Sequence, residues 1–173
     1  MNRLNNIPLG VFLLISVFGF GSVVYADVWA DHVVFQAETY DPRWVHAADL
    51  DGDGDLDVLS ASYGDGKIAW YENEGAGRFG SQQVISVVDY PESVHAADLD
   101  GDGDLDVLSA SSYEIAWYEN DGTGQFGFPQ VIIDGMAGCV YVTDLDDDGD
   151  LDVLLGSDWV DGGIAWYAND GTG

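Results

Sequence analysis

Short apolar segments alternate with acidic or glycine-rich ones along most of the chain. Val45–Ala48, Asp57–Ser62, Lys67–Glu72 and Gln83–Ser86 each read as a strand, the last β-branched at Val84 and Ile85. Asp-Gly and Gly-rich turns connect them, and no stretch carries a helical period. The pattern then starts again. Val45–Ser62 reads VHAADLDGDGDLDVLSAS, Val94–Ser111 repeats all 18 residues, and Val140–Ser157 gives a third copy, VYVTDLDDDGDLDVLLGS. The first Asp of each copy is Asp49, Asp98 and Asp144, a spacing of 49 and then 46 residues. IAWYEN follows at Ile68–Asn73 and Ile115–Asn120, IAWYAN at Ile164–Asn169, and a Phe-Gly pair at Phe79-Gly80 and Phe126-Gly127.

Periods of this length with several short strands predict propeller blades rather than a helical solenoid. The expected fold is all-β, about three four-stranded blades over residues 45–92, 93–139 and 140–173. His32–Gln36 resembles a further fourth strand, and the chain stops just after a third strand, giving twelve strands in all. A closed propeller usually has at least four blades. Gly173 aligns with Gly124, two residues before the Phe-Gly pair, so the expectation is an incomplete part of a larger propeller. The rival is an oligomer in which the initial strand completes a blade with strands of another chain.

Upstream of the repeats the pattern changes. Arg3 is the only charge before Asp27, and it precedes the apolar run Val11–Phe20 and the small-residue region ending at Ala26. This reads as a secretory signal peptide over 1–26, followed by the mature segment 27–173. The alternative is an uncleaved anchor, since Ile7–Tyr25 is nearly long enough to span a bilayer. After cleavage no membrane insertion is expected, and the chain is secreted or extracytoplasmic.

Composition sharpens the choice of partner. Asp plus Glu number 32 against four Lys plus Arg, a formal charge of −28, while 47% of residues are hydrophobic and 13% aromatic. That apolar content supports a packed core rather than a disordered acidic tail. The charge argues against nucleic acid and anionic membranes, whose phosphates it repels. The single cysteine, Cys139, excludes an internal disulfide framework and a Cys-based zinc site.

Sixteen of the 32 acids lie in the three repeated loops. Asp49, Asp51, Asp53, Asp55 and Asp57 put a carboxylate at every second position, as do Asp98, Asp100, Asp102, Asp104 and Asp106. The third loop carries Asp144, Asp146, Asp148, Asp150 and Asp152, with Asp147 in place of a Gly and expected to face water. Such a run repels itself unless a cation sits within it. Calcium prefers six to eight oxygens, and D-x-D-x-D-G loops supply side chains at positions 1, 3 and 5 and a carbonyl at 7. On that reading position 9 closes each site, and about three calcium ions are expected. An EF-hand is excluded, because it wants Glu at position 12 and helices on both sides. Position 12 here is Ser60, Ser109 or Leu155, each inside a strand.

The D-x-D-G-D-G-x-x-D loop between two strands, with a Phe-Gly pair, resembles the FG-GAP/VCBS repeat of integrin-alpha-type propellers over about residues 32–173. The resemblance implies calcium bound at positions 1, 3, 5 and 9 plus the carbonyl at 7, and commonly seven blades. The Gly-Ala-Pro part of the motif is absent.

Other candidates have a packing explanation. Trp70, Trp117 and Trp166 could stack on sugars, but aromatics at a fixed repeat position are expected in the inter-blade core. His46 and His95 read as buried or half-buried strand residues, and Cys139 as a tolerated thiol at a strand start. No arrangement of side chains suggests catalysis. The expected function is a calcium-stabilised adhesion or ligand-binding module for protein or carbohydrate, able to self-associate through open blade ends. The alternative is an accessory part of an extracellular polysaccharide-degrading enzyme. The second-to-third strand turns differ between copies, and their aromatics Tyr63, Tyr113 and Trp159 are the expected recognition tips.

Overall fold

The computed structural model describes residue 34, residues 39–157 and residues 163–172. The expected signal segment, the expected His32–Gln36 strand (apart from Val34) and Trp159 lie outside these residues. Those from 39 onward belong to one compact unit, His32–Gly173. Eleven strands run through the described residues. They are β1 (Pro42–Ala48), β2 (Asp57–Ser62), β3 (Lys67–Tyr71), β4 (Gln83–Val87), β5 (Pro91–Ala97), β6 (Asp106–Ser111), β7 (Glu114–Tyr118), β8 (Gln130–Asp134), β9 (Cys139–Thr143), β10 (Asp152–Ser157) and β11 (Gly163–Tyr167). Each pairs antiparallel with its chain neighbour, giving sheets β1-β2-β3-β4, β5-β6-β7-β8 and β9-β10-β11. These are propeller blades, and the three sheets do not close into a ring. β1 begins before Val45 because its ladder continues past the apolar pattern, through a bulge between Pro42 and Trp44, to reach Ser62. Backbone pairing, which the apolar alternation does not report, sets that boundary.

Strand alternation sends successive residues to opposite faces, and here both faces of the middle blade meet another sheet. Val94, Val107, Ala116 and Tyr118 of this blade pack with Leu59, Ile68 and Trp70 of the first. Leu108, Ala110, Ile115 and Trp117 face the other way, onto Val140, Val142, Val153 and Leu155 of the third. The first strands lie side by side at the inner edge. There the His46 and His95 ring centroids are 4.6 Å apart, and His95 and Tyr141 5.4 Å. Partial burial lowers the pKa of both histidines, and His46 lowers that of His95 a little further. The Ser93 hydroxyl accepts the Val140 N–H at 3.1 Å, tying β9 to β5.

Trp70 and Trp117 lie in the inter-blade core as the repeat predicts, 2% and 3% exposed. Trp166 does not, at 46% exposed. Among the described residues no sheet packs over the outer face of β11, so its equivalent side chain has nothing to cover it. Cys139 opens β9 and is exposed.

Candidate metal centre

Each acidic loop joins the first strand of a blade to the second, and the bonds made by the carboxylates at positions 1 and 5 recur in all three. The carboxylate at position 1 reaches across the loop: Asp49, Asp98 and Asp144 accept the N–H of Gly54, Gly103 and Gly149 at 3.0–3.1 Å. Asp51 and Asp100, at position 3, accept the N–H two residues on, both at 3.2 Å. Asp53, Asp102 and Asp148, at position 5, do the same for Asp55, Asp104 and Asp150 at 2.8–3.0 Å. These Asx-type turns curl the chain so that its carboxylates converge.

Backbone conformation explains which glycines can vary. Position 4 is left-handed, with φ of +74° at Gly52, +76° at Gly101 and +64° at Asp147. Asp tolerates that region, so the third loop accepts Asp147, which is exposed as expected. Position 6 has φ near +100°, at +94°, +102° and +102° for Gly54, Gly103 and Gly149. Side chains rarely adopt that conformation, and all three copies have Gly.

Position 9 carries a second task. Asp57, Asp106 and Asp152 are fully buried, and each carboxylate clamps two backbone N–H groups. Asp57 accepts from Leu50 at 2.9 Å and Asn73 at 2.8 Å. Asp106 accepts from Leu99 at 3.0 Å and Asn120 at 2.9 Å, and Asp152 from Leu145 at 2.9 Å and Asn169 at 3.0 Å. Burial raises the pKa of Asp57, and it pushes Asp106 up to about 6 against the lowering effect of those N–H groups. Asp146 is also raised, by desolvation and then by Asp148, Asp152 and Asp144 around it.

Carboxylate oxygens of Asp49, Asp51 and Asp53 lie within 4.8 Å of one another. So do those of Asp98, Asp100 and Asp106, and those of Asp144, Asp146 and Asp152. The first loop therefore gathers positions 1, 3 and 5, while the other two gather positions 1, 3 and 9. The side chains of Asp55, Asp104 and Asp150 lie instead beside Gly75, Gly122 and Gly171, in the turn after the third strand. In the first loop Asp49 Oδ1 is buried with no hydrogen-bond partner. An all-oxygen donor set with a spare carboxylate oxygen suits a hard cation such as calcium, and it offers none of the nitrogen or sulfur donors zinc favours.

One residue of the repeat was not singled out by its sequence. The asparagine that ends each IAWYEN or IAWYAN marker is a latch. Asn73 Nδ2 donates to the Leu56 carbonyl of its own loop at 3.0 Å. Asn120 Nδ2 donates to Leu105 of its own loop at 2.9 Å and to Leu50 of the preceding blade's loop at 2.8 Å. Asn169 repeats the pattern with Leu151 at 3.2 Å and Leu99 at 2.6 Å. Its recurrence was the available signal, but an Asn at a strand end is equally a turn residue.

Loop, strand pair and latch thus form one unit that recurs from blade to blade. The FG-GAP-like repeat family model matches this unit twice, over residues 49–109 and 98–155. The chain belongs to the FG-GAP-like repeat family. No curated protein matches it in sequence. Among solved structures it is similar to an Agrocybe aegerita lectin, described for specific recognition of non-reducing terminal N-acetylglucosamine. The identity is 25% and the TM-score 0.54, over 73% of this chain and 35% of that one. This FG-GAP-like chain therefore spans about a third of the length of the lectin it matches. The Phe-Gly pair of the repeat closes the turn after the third strand. Phe79 bridges to Asn73 and Phe126 to Asn120, while Gly80 and Gly127 donate to the carbonyls of Glu72 and Glu119, both at 2.8 Å.

Proposed function

We propose that the chain is an exported, non-catalytic binding module whose acidic loops each hold one calcium ion in a structural role. The observation that carries the calcium reading is the convergence of three carboxylates at the same point of three successive repeats. Positions 1, 3, 5 and 9 and the carbonyl at 7 would supply oxygens, and the ion would offset charge that the fold otherwise crowds together. The similarity to a lectin favours carbohydrate over protein as the ligand class. Export rests on the basic start, apolar run and small residues of 1–26.

The test is a calcium titration of the folded mature segment by calorimetry, with thermal melts in calcium and in chelator. Expected are about three sites and a melting temperature that falls on chelation, since an ion that binds only the native state stabilises it. A folded sample that takes up no calcium at millimolar concentration refutes the reading. N-terminal sequencing of secreted protein should begin at Asp27.

A further inference from the structure

The end of the blades remote from the acidic loops carries a feature that folding does not explain. The six-residue strands Asp57–Ser62 and Asp106–Ser111 each span about 17 Å of extended chain. Beyond them the turns of the first two blades line an open cleft of about 590 Å³. Tyr63, Tyr90 and Tyr113 supply aromatic walls, Met136 an apolar one, and Ser112 and Asp134 polar groups. The volume and the mixture of aromatic surface with a few polar groups are those of a small-ligand site.

The aromatic rings are surplus to the core. Tyr113 is 62% exposed and Tyr90 46% exposed. Tyr90 also sits in a left-handed conformation at φ +55°, which a bulky side chain adopts rarely. The equivalent residue of the first blade is Asp41, at φ +53°, a type that tolerates the region. Both carbonyls make the same bond, Asp41 to the Tyr63 N–H at 2.9 Å and Tyr90 to the Ser112 N–H at 3.3 Å. The backbone therefore needs a left-handed residue there but not a tyrosine.

The walls are fixed in advance. Ser111 Oγ accepts from the N–H groups of Tyr113 and Glu114 at 3.3 and 3.1 Å, holding the two-residue turn. Gly135 N–H donates to the Tyr113 carbonyl at 2.8 Å. Tyr63 stacks near Tyr90, with centroids 5.0 Å apart, and Arg43 lies 4.3 Å over the Tyr63 ring. That guanidinium is already matched by Asp41 at 3.4 Å and Glu92 at 3.8 Å. With Asp134 in the wall and a net charge of −28, the cleft disfavours anions.

Resting on the carbohydrate-binding reading above, we propose that this inter-blade cleft binds an uncharged pyranose. The sugar's apolar face stacks on Tyr90 and Tyr113, and its hydroxyls donate to the Asp134 carboxylate and bond Ser112 Oγ. Preformed aromatic walls keep the ordering cost of binding low.

Amide NMR spectra of the calcium-loaded mature segment test this, with N-acetylglucosamine and the methyl glycosides of glucose, galactose and mannose as probes. At least one probe should shift the amides of Tyr90, Tyr113 and Gly135. Tyr113→Ala and Tyr90→Asn should each weaken it about tenfold or more, with melting temperature and calcium uptake retained. Asn suits the left-handed backbone, so Tyr90→Asn tests the ring and not the fold. A sugar that binds with shifts elsewhere and ignores both variants overturns the cleft but leaves the carbohydrate reading standing. No shift with any probe overturns both, and points to a protein ligand instead.

Discussion

Asp106 is buried in full, yet its carboxylate must accept the Leu99 and Asn120 N–H groups. An amide has only one accepting atom, so Asp106→Asn leaves one buried N–H unpaired and should cost about 1–3 kcal/mol in urea denaturation. The same burial makes the calcium-free protein sensitive to pH. With the folded carboxyl pushed up to about 6, the native state holds a proton that the unfolded chain loses near about pH 4. That contribution is complete below about pH 4 and lost as the pH rises through about 6. In chelator, then, stability should fall across that window, and Asp106→Asn should flatten the slope; calcium, which needs the ionised form, should oppose the fall. The latch provides its own control. Among the described residues Asn120 bonds two loops whereas Asn73 bonds only its own, so Asn120→Ala should destabilise by about 1 kcal/mol more than Asn73→Ala. The sequence marked Asp106 and Asn120 equally as repeated residues. It could not separate ligand from clamp, because an Asp at position 9 has the spacing for both.

At the scale of the element, each acidic loop is a self-contained turn. Its internal bonds involve only its own residues, apart from the position-9 clamp and the latch. Asp53→Ala should therefore remove one calcium and leave the other two, read as stoichiometry by calorimetry. Position 6 should be far less tolerant than position 4. Gly103→Ala must hold φ +102° and should cost at least about 1–2 kcal/mol, while Asp147→Gly should change melting temperature and calcium uptake little. This much was legible in the chain, where Gly occupies position 6 three times and position 4 only twice. The strands were legible too, since alternating apolar residues between Asp-Gly turns specify both pleat and hairpin. What slipped were ends, β1 starting at Pro42 and β3 stopping at Tyr71, because backbone pairing and not side-chain polarity decides where a ladder stops.

Across the whole molecule the blades are equivalent in sequence but not in environment. Ile68 and Ile115 are 0% and 1% exposed, whereas Ile164 is 83% exposed; Trp70 and Trp117 are 2% and 3% exposed against 46% for Trp166 on the same face. An apolar face of this kind invites association. The isolated mature segment should therefore self-associate in light scattering, and Ile164→Glu should reduce it without lowering the melting temperature. A monodisperse, cooperatively folding parent chain would contradict this.

The sequence by itself determined the repeat, its strands, the acidic loops and the family resemblance, because these depend on local spacing: two residues per pleat, alternate carboxylates, Gly where φ is positive. Only the tertiary structure decided which identical residues differ in fate. Trp70 and Trp117 are core and Trp166 is surface, because burial depends on the neighbouring sheet and not on the side chain's own segment. Asn120 and Asn169 span two blades through bonds to Leu50 and Leu99, 70 residues away in each case. The cleft of Tyr63, Tyr90 and Tyr113 likewise exists only because blade packing brings together turns that are far apart along the chain.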